Sequence, residues 1–262
     1  MDFGRNSVER ALQDKDAHRS KLKNLISLTA VRVVLMLLLL IAAIAVSFVL
    51  GAIRGIVDSA PELKPDSIAP MGFATSVYDA TGNQVETLVM AGSNREEATY
   101  EELPKNLINA FVAIEDERFW QHNGVDTRSI MRAVVGVIRG TSSSGGGSTI
   151  TQQLIKNNLF NGGREKSFGE KLTRKIQEQY LAMKLERIMS KEVILTNYLN
   201  TINLGSNALG VKVASRRYFN KEVKDLTLSE CTVLAGITQN PSRLNPITGR
   251  QANEEKRKVV LR

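Results

Sequence analysis

The chain has little cysteine and little histidine. Cys231 is the single thiol among 262 residues, so no intramolecular disulfide and no cysteine metal cluster can form. It lies in the apolar run that extends to residue 237 and reads as a buried structural thiol rather than a nucleophile. His18 and His122 are the only histidines; they are far apart, and no ligand spacing around them suits zinc. Strand and helix signals do not alternate, which argues against a parallel sheet. The serine- and glycine-rich stretch 142–148 has too little of a phosphate-loop pattern to hold a nucleotide and reads as a flexible loop. No organic cofactor is expected.

Apolar residues make up 42% and charged residues 24%, ordinary globular values that exclude disorder along the whole chain. A formal net charge of +8 calls for an anionic partner: nucleic acid, a membrane surface or a phosphorylated substrate.

Residues 33–53 narrow that choice. In this run of 21 residues only Ser47 and Gly51 are not clearly apolar. A helix of that length spans about 31 Å, enough for a hydrocarbon core. It exceeds the apolar core of a cleaved signal peptide, and no small-residue cleavage site follows cleanly. Arg5, Arg10, Lys15, Arg19, Lys21, Lys23 and Arg32 precede it, whereas only Arg54 and Lys64 follow closely, with Asp58 and Glu62 between. The positive-inside rule then puts the N-terminus in the cytoplasm and everything beyond about residue 54 outside. Nucleic acid becomes an improbable partner on those grounds.

The organisation read from the sequence is a cytoplasmic tail (1–32), a transmembrane anchor (33–53), a linker with Pro61, Pro65, Pro70 and Gly72 (54–72), and one domain (73–262). The domain opens with a hairpin signal: Val77, Tyr78, Val85, Leu88 and Val89 flank Asp79, Gly82 and Asn83. From Glu101 the period turns helical, with Leu103, Leu107, Phe111 and Ile114 on one face. Further helical sets follow at Ile150, Leu154 and Ile155, at Ile176, Tyr180, Leu181 and Leu185, and at Ile194, Leu195, Tyr198, Leu199 and Ile202. Thr227 and Glu230 form a capping box, and Pro241 ends the helix they start. The fold class is mainly α. Ile130, Met131, Val134, Val135, Val137 and Ile138 lie ahead of the glycine-rich stretch, so the segment 130–160 is expected to be partly mobile and to touch lipid.

Three polar clusters interrupt the apolar pattern. Glu115, Asp116, Glu117, Arg118, His122 and Asp126 crowd the end of one helix. Ser148, Thr149, Gln152, Gln153 and Lys156 form the second, with Gln152 and Lys156 one helical turn apart. In the third, Glu178 lies one turn beyond Arg174 and Lys175, where both cations can pair with its carboxylate.

Together these clusters resemble the signature of glycosyltransferase family 51, the peptidoglycan glycosyltransferases. Glu115, Asp116, Phe119, His122, Gly124 and Asp126 match its first motif, and residues 146–153 with Lys156 match its second. Arg174, Lys175, Glu178, Ala182, Leu185 and Glu186 match the third; Lys191, Ile194, Leu195, Tyr198, Leu199 and Asn200 match the fourth. A last motif is present only in part, at Arg257, Val260 and Leu261, which favours the N-terminal part of a class A bifunctional penicillin-binding protein over a single-domain polymerase. Glu115 and Glu178 are 63 residues apart, an interval stretched by the serine–glycine loop and by 161–171, which leaves the position of Arg164 open.

The resemblance implies a lysozyme-like helical domain with a small membrane-facing jaw. It also implies polymerisation of lipid II into β-1,4 glycan by inverting transfer, with release of undecaprenyl diphosphate. Glu115 would act as general base. Glu178 would support it by orienting cations or holding a divalent metal, magnesium or manganese. Lys156, Arg174 and Lys175, with Ser148, Thr149, Gln152 and Gln153, would bind the diphosphate-bearing donor, and Arg118 and His122 would shape the acceptor side. The partners implied are lipid II, the growing lipid-linked glycan, the membrane and proteins of cell-wall assembly, at the bacterial cell membrane. The competing readings are a lysozyme-like hydrolase, which would not need the cations at 156–175, and a non-catalytic scaffold, which would tolerate loss of Glu115.

Overall fold

The computed structural model describes residues 4–90, 93–138, 147–160 and 162–261. It divides into two units, Met1–Asp58 and Ser59–Arg262.

The first unit is one helix, α1 (Arg5–Asp58). Its segment Leu28–Asp58 is long and apolar enough to cross a membrane, and none of its most apolar window is buried. The apolar run 33–53 lies inside it. Residues 54–58, expected as linker, continue the helix, since the first proline comes only at Pro61.

The second unit begins with α2 (Pro65–Ile68) and an antiparallel hairpin, β1 (Thr75–Tyr78) and β2 (Gln84–Leu88). Among the described residues eight further α-helices follow: α3 (Lys105–Glu115), α4 (Thr127–Ile138), α5 (Ile150–Leu159), α6 (Phe168–Leu185), α7 (Lys191–Thr201), α8 (Val211–Phe219), α9 (Leu228–Ile237) and α10 (Arg250–Val260). The architecture is mainly α with a short hairpin, as the sequence pattern requires. The hairpin turn is fixed locally: the Asp79 carboxylate accepts from the backbone N–H groups of Thr81 and Asn83, each at 2.9 Å.

The helices that matter for the site start at side-chain caps. Thr149 with Gln152, Ser167 with Glu170, and Thr227 with Glu230 form capping boxes that open α5, α6 and α9. Each then buries an apolar face. Leu107, Phe111, Leu154, Ile155, Leu195, Tyr198 and Leu234 are fully buried in one core, where α3 packs on α9 and α5 packs on α6 and α7. Each such side chain contributes about 1.5–3 kcal/mol by leaving water. Phe111 and Tyr198 meet edge to face at 6.5 Å between ring centres, which ties α3 to α7.

Two expectations change. Leu63 and Ile68, inside the supposed linker, are buried in the domain core, and Asn158 on α5 donates to the Ile68 carbonyl at 2.6 Å. The prolines there set a turn that returns apolar residues to the core rather than a free tether. Likewise, the α5 part of the segment expected to touch lipid is core: Ile150, Leu154 and Ile155 have no exposed surface. On α4, Met131 and Val135 do face outward. The rest of that expectation, at 139–146, lies outside the described residues.

Candidate active site

α3 ends at Glu115, and the polar cluster that follows is built largely from internal bonds. Asp116 is buried and accepts from the Ile150 backbone N–H at 3.0 Å, capping the start of α5. His122 Nε2 donates to the same carboxylate at 2.9 Å, while His122 Nδ1 accepts from the Gly124 N–H at 3.2 Å. The two ring nitrogens thus take opposite roles, Nε2 toward the carboxylate and Nδ1 toward the backbone N–H. Arg118 forks onto Asp126, with Nε at 3.2 Å and Nη2 also bonded. Burial works to raise the Asp126 carboxyl, but hydrogen bonds from Arg118 and Ser129 outweigh it and hold the group well below the usual carboxylate range. Arg118 and His122 therefore brace the loop. Their side chains are 19% and 8% exposed, and together they line a small polar cavity of about 210 Å³ with Gln121 and Arg128.

Gly124 closes this loop against α6. Its φ is +88°, and a Cβ there would lie 2.5 Å from the Ala182 carbonyl carbon, so only glycine fits. The Gly124 carbonyl accepts from Thr149 Oγ1 at 2.7 Å and from Gln152 Nε2 at 3.5 Å. Thr149 and Gln152 are each 2% exposed, their polar atoms bonded within the cap. They hold the start of α5 in place and face inward rather than toward a ligand.

Glu115 itself is half-buried and held at both oxygens by neutral donors. Gln153 Nε2 donates to Oε2 at 2.7 Å, and Thr238 Oγ1, just beyond α9, bonds to Oε1. The Gln153 amide is oriented from behind by the Tyr198 hydroxyl, which donates to Gln153 Oε1 at 3.4 Å. Burial pushes the Tyr198 phenol well above its ordinary value, and the charges of Glu115 and Asp116 push the same way, so Tyr198 stays a neutral donor.

Glu178 stands in a different setting. It has no exposed surface, and α6 supplies both of its partners: Arg174 Nη1 bonds Oε1, and Lys175 Nζ donates to Oε2 at 2.7 Å. Lys175 Nζ also donates to Ser148 Oγ at 3.0 Å, and Arg174 Nε donates to Glu165 at 2.7 Å. Burial works to lower the Arg174 guanidinium, but its bonds to Glu165 and Glu178 prevail and raise it. The side chain of Arg164 is exposed; its neighbour Glu165 is the residue that joins the cluster.

Lys156 links the two glutamates. Among the described residues it has no hydrogen-bond or ion-pair partner, yet it lies in the electrostatic field of Glu178, Lys175, Arg174 and Glu115. Burial is the main cause that lowers its ammonium, and the neighbouring cations add to this against the two carboxylates. Gly163, at φ +77°, packs its backbone between the Arg174 guanidinium and the Lys156 side chain; a Cβ there would meet them at 3.1–3.3 Å.

At Glu178 a resident metal does not fit. Both oxygens of Glu178 are taken by cations, and among the described residues no three acidic, histidine or cysteine side chains are grouped to bind one.

A half-buried carboxylate held by neutral donors and a buried carboxylate paired with cations of α6 thus share one helical domain, with Lys156 in the field of both. The chain belongs to the transglycosylase family, whose profile matches residues 81–262. It is 43% identical to penicillin-binding protein 1A of Clostridium acetobutylicum over 82% of this chain and 27% of that protein. It is 42% identical to penicillin-binding protein 1F of Bacillus subtilis over 72% of this chain and 25% of that one. The chain thus spans about a quarter of the length of these curated relatives. The crystal structure of penicillin-binding protein 1A from Haemophilus influenzae aligns over 74% of this chain and 18% of that one, at 23% identity and a TM-score of 0.37, too loosely to carry residues across.

Thr238 was missed by sequence reasoning, as were Gly163 and Glu165. Thr238 lies 123 residues from Glu115, and no spacing rule connects them. Gly163, by contrast, follows Gly162, and paired glycines ahead of a cationic helix are a readable sign of close backbone approach.

Proposed function

We propose that this domain polymerises lipid II into β-1,4 glycan strands of peptidoglycan by inverting glycosyl transfer, releasing undecaprenyl diphosphate. The observation that carries the reading is Lys156, half-buried, without a bonded partner among the described residues, and in the field of both a carboxylate held by neutral donors and a carboxylate clamped by cations. Such a site matches a substrate that brings a hydroxyl to one side and a diphosphate to the other.

In this reading Glu115 takes the proton of the acceptor sugar hydroxyl. The freed oxygen attacks the anomeric carbon of the donor from the face opposite the diphosphate. The carbon–oxygen bond to the diphosphate breaks, and its electron pair leaves with the phosphate. Attack on the α-linked donor gives the β product. A diphosphate departs readily when its growing charge is met by fixed cations, so the site needs Lys156, Arg174 and Lys175 more than a second protonated acid. Glu178 acts through those cations by orienting them. Its oxygens are already taken by Arg174 and Lys175, which leaves no seat on Glu178 for magnesium or manganese.

The lysine and arginine excess before the apolar part of α1 supports a cytoplasmic N-terminus and an extracytoplasmic domain at the cell membrane. Protease added to intact spheroplasts should then digest residues beyond 60 and spare the tail; digestion of the tail alone would overturn the topology. The activity is tested by incubating the purified protein with labelled lipid II. Ladder-like polymer is expected. Cleavage of preformed glycan with no polymer would favour a hydrolase, and folded protein that does neither would favour a scaffold.

A further inference from the structure

We propose that Thr238 is a positioning residue for Glu115, holding its carboxyl group through both protonation states. The inference rests on the general-base reading of Glu115. Thr238 Oγ1 bonds Glu115 Oε1 and lies 3.0 Å from the Ala235 carbonyl at the end of α9. A hydroxyl has one proton and also accepts, so it cannot donate to both oxygens at once. With Glu115 as a carboxylate, Thr238 donates to Oε1. Once Glu115 has taken the acceptor's proton, a carboxyl O–H on that side donates to Oγ1, and the threonine proton turns to the Ala235 carbonyl. Neither state leaves an orphaned donor.

Gln153 cannot do this. Its Nε2 only donates, and its Oε1 is engaged by the Tyr198 hydroxyl. The two clamps therefore divide the work: Gln153 fixes one oxygen in one sense, and Thr238 adapts at the other. Among the described residues, α3, α5 and the end of α9 meet at the carboxylate, and Thr238 is the contribution from the last.

The test is steady-state glycan polymerisation by Thr238→Val and Thr238→Ser in the full chain, each also combined with Glu115→Gln. Thr238→Val should lower kcat about ten- to hundredfold, the range for one hydrogen bond to a charged group, with KM for lipid II within about twofold. Thr238→Ser should restore kcat to near the parent value. Thr238→Val should cost nothing further in the Glu115→Gln background. Parent-level kcat in Thr238→Val, or a Thr238→Ser as impaired as Thr238→Val, overturns the proposal. So does an equal loss in both backgrounds with a lowered melting temperature, which assigns the hydroxyl to the helix end. Full polymerisation by Glu115→Gln alone overturns the general-base reading instead, and is seen without any Thr238 variant.

Discussion

Glu115 and Glu178 are both carboxylates of the candidate site, and the protein treats them in opposite ways. Glu115 sits at a helix end, half-buried, between an amide and a hydroxyl contributed by α5 and by the residue after α9. Glu178 is in mid-helix, without exposed surface, between two cations of its own helix. Removing a carboxylate from neutral donors leaves groups that can find other partners. Removing one from between two cations leaves like charges facing each other. On the proposed reading, that difference separates a residue placed for chemistry from one placed to hold charge.

The largest expected effect breaks the comparison on the Glu178 side. Glu178→Gln should destabilise the domain by about 3 kcal/mol, the low end for breaking a buried ion pair, because Lys175 is partly hydrated. Arg174 keeps Glu165, whereas Lys175 loses the only acid it pairs with among the described residues. Thermal unfolding measures the loss, and donor binding should weaken with it. A melting temperature equal to that of the parent would remove the distinction between the two carboxylates.

Next comes Glu115→Gln. It should lower polymerisation by at least roughly 10²-fold, the lower range for a lost general base. Its melting temperature should stay close to the parent's, because a glutamine amide can still pair with Gln153 and Thr238. Near-normal turnover here, with turnover abolished and donor binding intact in Glu178→Gln, would exchange the two roles.

Lys156→Ala should weaken binding of lipid-linked donor about tenfold or more, the value of one charge-assisted hydrogen bond to phosphate, with a smaller effect on acceptor affinity. Its lowered ammonium also gives a pH signature. On the proposed reading the charged form binds the diphosphate, so affinity falls as pH rises through a value below that of an ordinary lysine. Lys156→Arg should flatten that alkaline fall in a donor titration.

The smallest effect lies away from both carboxylates. Burial pushes the Cys231 thiol up to about 11, with Glu230 adding to it. A thiol-alkylating reagent at pH 8 should label the native protein hardly at all and label it fully after denaturation; ready labelling of the folded chain would contradict the packing of α9.

The local half of this site was readable in the sequence. Arg174, Lys175 and Glu178 lie within one helical turn, so their pairing follows from helix geometry alone. The same rule misdirected the reading of Gln152. It does lie one turn from Lys156, but it also stands three residues after Thr149, and the capping box claims its side chain. The Thr-x-x-Gln pattern that announces this was present, as it was at Thr227 and Glu230, where it was recognised. The non-local half was not readable. Thr238, Tyr198 and Ile68 reach α3 or α5 only because the core brings distant segments together, and periodicity carries no information about which helix faces which.

Lys156 also has a meaning for the protein without substrate. An ammonium half-removed from water with no bonded partner among the described residues is a point of local frustration, a conflict that folding alone leaves unresolved. Relieving it should show in the empty domain: Lys156→Ala should melt slightly higher than the parent even as it loses donor. For this group the native ammonium gives up its proton more readily than in the unfolded chain, so its contribution to stability rises with pH, from the lowered native value up to about 10.4, the value of a lysine in the unfolded chain. Substrate affinity moves the other way across the same interval. A diphosphate ligand completes what the fold leaves open, and it should raise the melting temperature of the parent more than that of Lys156→Ala.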